Sequence, residues 1–112
     1  TVSLGEFASA QQQWSEKTFG PCTHRGPKGP LMHLELEVQE ALTELHKAPN
    51  GPKFLTELSD ILFLLVDATW RSGYWTTDLL DEAMRKLAVN KERIWPDWKD
   101  SDANSPIEHV RT

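Results

Sequence analysis

The chain has 112 residues, of which 38% are hydrophobic and 26% charged, so it suits one soluble globular domain rather than a disordered chain. The formal charge of −5 argues against nucleic acid as a partner, since phosphate backbones bind clustered Lys and Arg. One cysteine, Cys22, excludes an internal disulfide, and neither a membrane span nor a signal peptide is visible. We therefore expect a single cytoplasmic domain over residues 1–112 with no membrane partner.

The first predicted helix covers about residues 4–17. Ser3 and Glu6 form a capping-box pair at its start, because the Ser hydroxyl can accept a hydrogen bond from backbone N–H groups there. The following residues, 20–30, include three Gly and three Pro, which predicts a loop.

Two longer helices should follow this loop. Pro30 is suited to the first position of helix two, where its missing N–H costs nothing, and the segment 48–52 ends that helix. Helix three is predicted over about residues 52–72. Gly73 is placed to end it in a left-handed conformation.

A fourth helix should begin with Thr77 or Asp78 as its cap and end before Pro96, after which the tail is irregular. Short connections between helices favour an antiparallel bundle, so the predicted fold is an all-α four-helix bundle. A chain of this size buries a thin core, and broad apolar helix faces gain from pairing with another subunit. We expect an oligomer.

Helix two has an acidic edge. At about 100° per residue, four polar side chains fall together on one flank of the apolar stripe. These side chains are His33, Glu37, Glu40 and Glu44.

Helix three carries carboxylates beside its most apolar part. Residues 61–66 are apolar on nearly every face, which predicts burial all round. Glu57, Asp60 and Asp67 nevertheless lie along one line of the same helix. Ionised carboxylates beside a buried run need solvent or a cation, because burying an unpaired charge is costly. Facing the acidic edge of helix two, they would repel one another unless their pKa values rise or a divalent ion binds.

The spacing of these carboxylates suits a hard cation. Glu37 and Glu40 are three residues apart, as are Glu57 and Asp60, so two such pairs on antiparallel neighbours can converge on one Mg²⁺ site. Either pair alone is more often a solvated helix face, but both together favour the metal site. Without a nucleophilic triad or a redox motif, the fitting chemistry is metal-assisted attack of water on a phosphate.

The two pairs, with sixteen residues between them, resemble the E-x-x-E…E-x-x-D signature of the MazG-like all-α NTP pyrophosphatases. Lys86 and Asn90, followed by Arg93, match the K-x-x-x-N element of several members. The loop 25–34 and the Trp-Pro-containing end resemble the dATP/dGTP diphosphohydrolase branch, the MazZ-type proteins of phages and bacteria.

The resemblance implies an enzyme that hydrolyses a purine deoxynucleoside triphosphate, dGTP or dATP, to the monophosphate and pyrophosphate. It implies Mg²⁺ as cofactor, with Mn²⁺ able to substitute, and a homodimer or homotetramer in a bacterial cytoplasm, phage-encoded or not. The catalytic and metal-binding set would be Glu37, Glu40, Glu57 and Asp60, with Glu40 taking a proton from water.

Seven further side chains are candidate substrate contacts: Lys86, Asn90, Arg93, Trp14, Arg25, Lys28 and His33. The three on helix four would clamp phosphate or sugar, or else form a solvated helix end. Trp14 would stack on a purine or lie in the core, and Arg25 and Lys28 would meet an anion or belong to a plain loop. His33 would orient Glu37 or touch substrate, and Asp67 would support the site or an interface.

Two other functions stay open at this stage. The chain could hydrolyse another nucleotide, such as dUTP, dCTP or phosphoribosyl-ATP, or it could be a non-catalytic nucleotide-binding or purely structural helical module. Intact acidic motifs favour the enzyme.

Overall fold

The structure, a computed structural model, describes residues 1–111. Its α-helices are α1 (Leu4–Phe19), α2 (Lys28–Lys47), α3 (Pro52–Arg71) and α4 (Thr76–Glu92), followed by a 3₁₀ turn at Trp98–Asp100. The described residues contain no β-strand, which confirms the all-α prediction. Within the same range, no helix has the length and apolar character needed to cross a membrane.

The chain divides into two compact units, the first being Thr1–Leu79 and the second beginning at Leu80. The first unit holds α1, α2 and α3, and most of α4 belongs to the second. The single domain expected over residues 1–112 stays a prediction.

The predicted cap of α1 is present. Ser3 Oγ accepts a hydrogen bond from the backbone N–H of Glu6 at 3.1 Å, and it donates to Glu6 Oε1 at 3.2 Å. The helix extends to Phe19, two residues beyond the predicted end. Gly20 then turns the chain with φ +97° and ψ 167°, a conformation that is essentially open to glycine alone.

The start of α2 differs from the prediction. Pro30 was expected in the first helical position but is the third, since the helix begins at Lys28. The first four N–H groups of a helix all lack an acceptor within it, so proline is tolerated throughout the first turn. At α3, by contrast, Pro52 opens the helix as predicted, and Gly73 follows its end with φ +88°.

The start of α4 also differs. Neither Thr77 nor Asp78 precedes the helix, which begins at Thr76. The Asp78 carboxylate instead reaches back, and its Oδ2 accepts a hydrogen bond from the backbone N–H of Trp75 at 2.8 Å. This is the reverse half of a capping box, and it stabilises the same helix end from inside the first turn.

In the first unit, α3 is the central helix, since α2 packs along it and α1 packs against it. Val66 and Trp70 of α3 are buried against Ala8 of α1, and Phe7 covers them in part. The core is small, as the chain length suggests.

The prediction that residues 61–66 are buried all round was wrong for four of the six, of which Ile61 and Phe63 are half-buried. Leu62 and Leu65 are 40% and 39% exposed, while Leu64 and Val66 are buried. The physical reason is that α1 and α2 contact only part of the α3 circumference. The remaining side presents an exposed stripe formed by Leu55, Leu58, Leu62 and Leu65, which we call the α3 stripe.

Candidate metal and nucleotide site

Three of the predicted carboxylates converge between α2 and α3. Glu37, Glu40 and Glu57 each offer an oxygen, and these oxygens all lie within 4.8 Å of one another. The short turn after α2 makes the two helices antiparallel, so the middle of α2 lies opposite the second turn of α3. Glu37 is buried, Glu57 half-buried and Glu40 exposed.

Within residues 1–111, no Lys or Arg side chain forms an ion pair with this three-carboxylate cluster. Glu37 Oε2 and Glu57 Oε2 are buried, and neither has a hydrogen-bond partner among residues 1–111. The pKa of Glu57 rises from its ordinary 4.5 to about 7, mainly because only its protonated form could donate a hydrogen bond to the neighbouring Glu37 carboxylate, and further through desolvation and the charge of Glu40. A hard divalent cation would satisfy both orphan oxygens and remove the repulsion, so the residues present fit such an ion.

Asp60 lies one turn after Glu57 on α3 and outside the three-carboxylate cluster. It is half-buried and lines a neighbouring cavity together with Glu37. The structure therefore brings three of the four predicted ligands together and places the fourth on the adjoining wall.

His33 contacts Glu37, as their spacing of four residues predicts. Its Nε2 lies 3.0 Å from Glu37 Oε1, where a ring N–H can donate to the carboxylate. The Glu37 side chain is thus held through one oxygen and presents the other to the cluster.

The cavity in the first unit has a volume of about 720 Å³. One part of its wall is aromatic, because Trp14 packs edge-on against Phe19 and Phe63, with ring centroids 5.4 Å and 5.7 Å away. Trp14 is 52% exposed, so it is not the buried core residue that was the alternative. This corner offers a flat apolar surface to a planar ring.

Another part of the cavity wall is cationic. His24, Arg25 and Lys28 line it from the segment between α1 and α2 and from the first turn of α2. The acidic side of the cavity, with Glu37 and Asp60, and this cationic side could hold a phosphate chain together with a metal ion.

A buried polar network around Asp67 and Arg71 forms part of the cavity wall, and the sequence indicated only Asp67 of it. Asp67 Oδ2 accepts from Arg71 Nε at 2.8 Å, and Oδ1 accepts from Gln11 Nε2 at 2.8 Å and Ser15 Oγ at 2.5 Å. The exposed fraction of the Arg71 side chain is 1%, and that of Asp67 is 6%. The four-residue spacing of Asp67 and Arg71 was the available signal, since such pairs meet on a helix face.

The predicted residues of helix four belong to the second unit. Arg93 follows the end of α4, and its NH1 group donates to Asn90 Oδ1 at 3.1 Å. The Asn90 carbonyl accepts from the indole Nε1 of Trp95 at 2.7 Å, and Lys86 is exposed. A role of these residues toward substrate stays a prediction.

Comparison with known proteins gave three findings. A family model described as dATP/dGTP pyrophosphohydrolase matches residues 7–112. The Eaa protein of Salmonella phage P22 is 40% identical over 99 residues, which are 88% of this chain but 27% of that longer protein. A solved structure, the cyanophage S-2L MazG-like pyrophosphohydrolase bound to dGDP and three catalytic Mn²⁺ ions per active site, superposes with a TM-score of 0.70. It is 21% identical, and the match covers 99% of this chain and 100% of that one, which shows a common fold.

Proposed function

This chain belongs to the dATP/dGTP pyrophosphohydrolase family, and on that premise we propose that it hydrolyses dGTP or dATP to the monophosphate and pyrophosphate. The observation that carries the proposal is the three-carboxylate cluster with its two buried, unpartnered oxygens. The reaction would require Mg²⁺, with Mn²⁺ as a substitute. Mn²⁺ in the cyanophage structure supports a divalent ion in this fold.

Glu37, Glu40 and Glu57 would hold the ion or ions, and Asp60 would contribute from the adjoining wall. A bound divalent cation would supply Lewis acidity and neutralise charge on the phosphates. Glu40 is the exposed member of the cluster, so its carboxylate is the one free to accept a proton from an attacking water. His33 would keep the Glu37 carboxylate oriented.

The cavity supports a purine nucleotide as substrate. Its volume of about 720 Å³ lies within the range of small-molecule sites, roughly 300–1,000 Å³. The base would lie against Trp14 in the aromatic corner. Arg25 and Lys28 would make charge-assisted bonds to the phosphates.

A second copy of this chain would cover the α3 stripe. An exposed row of leucines along one helix is typical of a subunit interface, and a self-complementary face gives a closed dimer or tetramer. Light scattering of the purified chain should give the mass of two or four copies. A monomer at micromolar concentration would contradict this part of the proposal.

A panel of nucleotides tests the activity. With Mg²⁺ present, dGTP and dATP should give pyrophosphate and monophosphate in equal amounts, and turnover should stop on chelation of the metal. Equal turnover of dUTP or dCTP would remove the purine preference, and release of orthophosphate would show another reaction. Binding without turnover would indicate a non-catalytic module.

A further inference from the structure

Arg71 uses all of its side-chain donors inside the protein. Its Nε donates to Asp67 Oδ2 at 2.8 Å, its NH1 to the carbonyls of Gly20 and Arg25 at 3.0 Å each, and its NH2 to Ser15 at 2.9 Å (Oγ) and 3.3 Å (carbonyl). A guanidinium has five N–H groups, and here there are five acceptors. An arginine that is buried and fully bonded in this way is held in one position.

Two of these acceptors lie at the two ends of the segment between α1 and α2. Gly20 and Arg25 enclose a short turn in which the N–H groups of His24 and Arg25 both donate to the Pro21 carbonyl. Residues 21–26 are exposed. The Gly20 N–H also donates to the Glu16 carbonyl of the flanking helix α1, and the bonds from Arg71 connect the segment to α3. We call residues 20–26 the anchored loop.

The anchored loop forms part of the cavity wall. Its backbone at Arg25 is fixed by Arg71, while the Arg25 side chain is free, and Lys28 follows directly in the first turn of α2. Movement of the loop would therefore displace Arg25, one of the two cationic groups that the proposed function assigns to the phosphates. A mobile loop would weaken substrate binding, because the loop would have to become ordered each time a nucleotide binds.

We propose that Arg71 is a positioning residue, which fixes both ends of the anchored loop so that Arg25 meets the phosphates of the nucleotide beside Lys28. The inference rests on the proposed function for its substrate. Arg71 lines the cavity, but it needs no contact with the nucleotide because its donors are already occupied within the protein.

The first test is R71K. Lysine keeps a positive charge beside Asp67, but a single ammonium group cannot reach both loop carbonyls and Ser15. We expect KM for dGTP to rise about tenfold, with kcat within about twofold of wild type, because binding is affected and the carboxylates are not. The affinity for the inhibitor dGMP should fall less than the affinity for dGTP, since dGMP lacks the outer phosphates.

Hydrogen exchange gives a second readout that needs no substrate. Amides of residues 22–26 should exchange faster in R71K, while those of α2 and α3 keep their protection. The matched control is R85K, at an exposed arginine that pairs with Glu82, and it should change neither KM nor loop exchange.

G20A tests the same loop without disturbing the buried pair. The added Cβ would meet no atom within 4 Å, so the change acts through the backbone at φ +97°. G20A should raise KM for dGTP and speed amide exchange of residues 22–26. G73A, at the other positive-φ glycine, is the control and should leave loop exchange unchanged.

The outcomes separate the two proposals. Wild-type protein that turns over no nucleotide defeats the proposed function, while the exchange data still decide whether Arg71 anchors the loop. A folded R71K with unchanged KM and unchanged loop exchange overturns the positioning role. If R71K does not fold, the G20A variant tests the positioning role instead. An unchanged KM and unchanged loop exchange in G20A would then overturn that role.

Discussion

Replacement of Asp67 by Asn tests how much the buried anion contributes to folding. The Asp67 carboxylate receives three donors, from Gln11, Ser15 and Arg71, at 2.5–2.8 Å. The amide of D67N has the same size but only one oxygen. Its NH₂ group must face at least one of the three donors, and the positive charge of Arg71 loses its partner.

The expected magnitude follows from these contacts. Removing one partner of a buried ion pair costs about 3–5 kcal/mol, and a hydrogen bond to a charged group contributes about 1.5–3 kcal/mol. Because the amide oxygen keeps some of the bonds, we expect D67N to lower the free energy of unfolding by about 3 kcal/mol. Small domains have about 5–15 kcal/mol in total, so the melting temperature should fall by roughly 10–20 °C.

Urea unfolding followed by tryptophan fluorescence and far-UV circular dichroism measures this loss. The midpoint should fall while the m-value stays the same, since the surface exposed on unfolding is unchanged. The control is D81N, at an exposed position of α4, where the change should stay within about 0.5 kcal/mol. A loss in D67N no larger than that in D81N would refute the reasoning.

Three further predictions concern single side chains. E40Q should lower turnover of dGTP by about 10²–10⁴-fold with an unchanged circular dichroism spectrum, whereas E35Q, exposed on the same helix, should be active. The pKa of Glu57 is about 7 in the folded protein and 4.5 as its ordinary value. Between pH 4.5 and about 7, Glu57 therefore binds more protons in the folded protein than in the unfolded chain. Metal-free stability should therefore fall as pH rises through that window, and E57Q should flatten the fall. S3A should lower the free energy of unfolding by about 1 kcal/mol, through loss of the α1 cap.

Each of these three predictions has a result that would contradict it. Full activity of E40Q would remove Glu40 from the chemistry, and loss in E35Q as well would show that the effect is not local. A wild-type melting temperature with the same pH dependence as E57Q would mean that Glu57 titrates near its ordinary value. An unchanged urea midpoint in S3A would show that the start of α1 is frayed in solution.

Much of the fold could be predicted because its signals are local. The Ser3 cap, the Pro52 start and the Gly73 end each depend on backbone chemistry within a few residues, and all three are found. The Pro30 and Asp78 predictions missed by two and three residues, since several positions of a first turn tolerate proline or use a carboxylate.

The acidic cluster could be predicted from the helical spacing of its carboxylates together with the apolar run beside them. The resemblance to MazG-like pyrophosphatases and their dATP/dGTP branch, drawn from the same residues, is confirmed by the family match. Periodicity does not show which side of α3 lies against a neighbour, so the exposure of Leu62 and Leu65 could not be predicted. It also does not show that Trp14 lies at the cavity rather than in the core.

The Arg71 network could not be predicted for a different reason. The network partners Gln11 and Ser15 are more than 50 residues away in sequence, and three of the acceptors of Arg71 are backbone carbonyls, which carry no residue-type signal. An arginine in the last turn of a helix is usually an exposed cation that favours the helix dipole. Only the packing of α1 against α3 makes it a buried donor.

Binding of Mn²⁺, followed by electron paramagnetic resonance without nucleotide, tests the metal site most directly. We expect saturable binding to the wild-type chain, and loss of that binding in a variant with Glu37, Glu40 and Glu57 all changed to Gln. If the triple variant binds as many ions with the same affinity, then these three carboxylates are not the cation site, and the account of the reaction is contradicted.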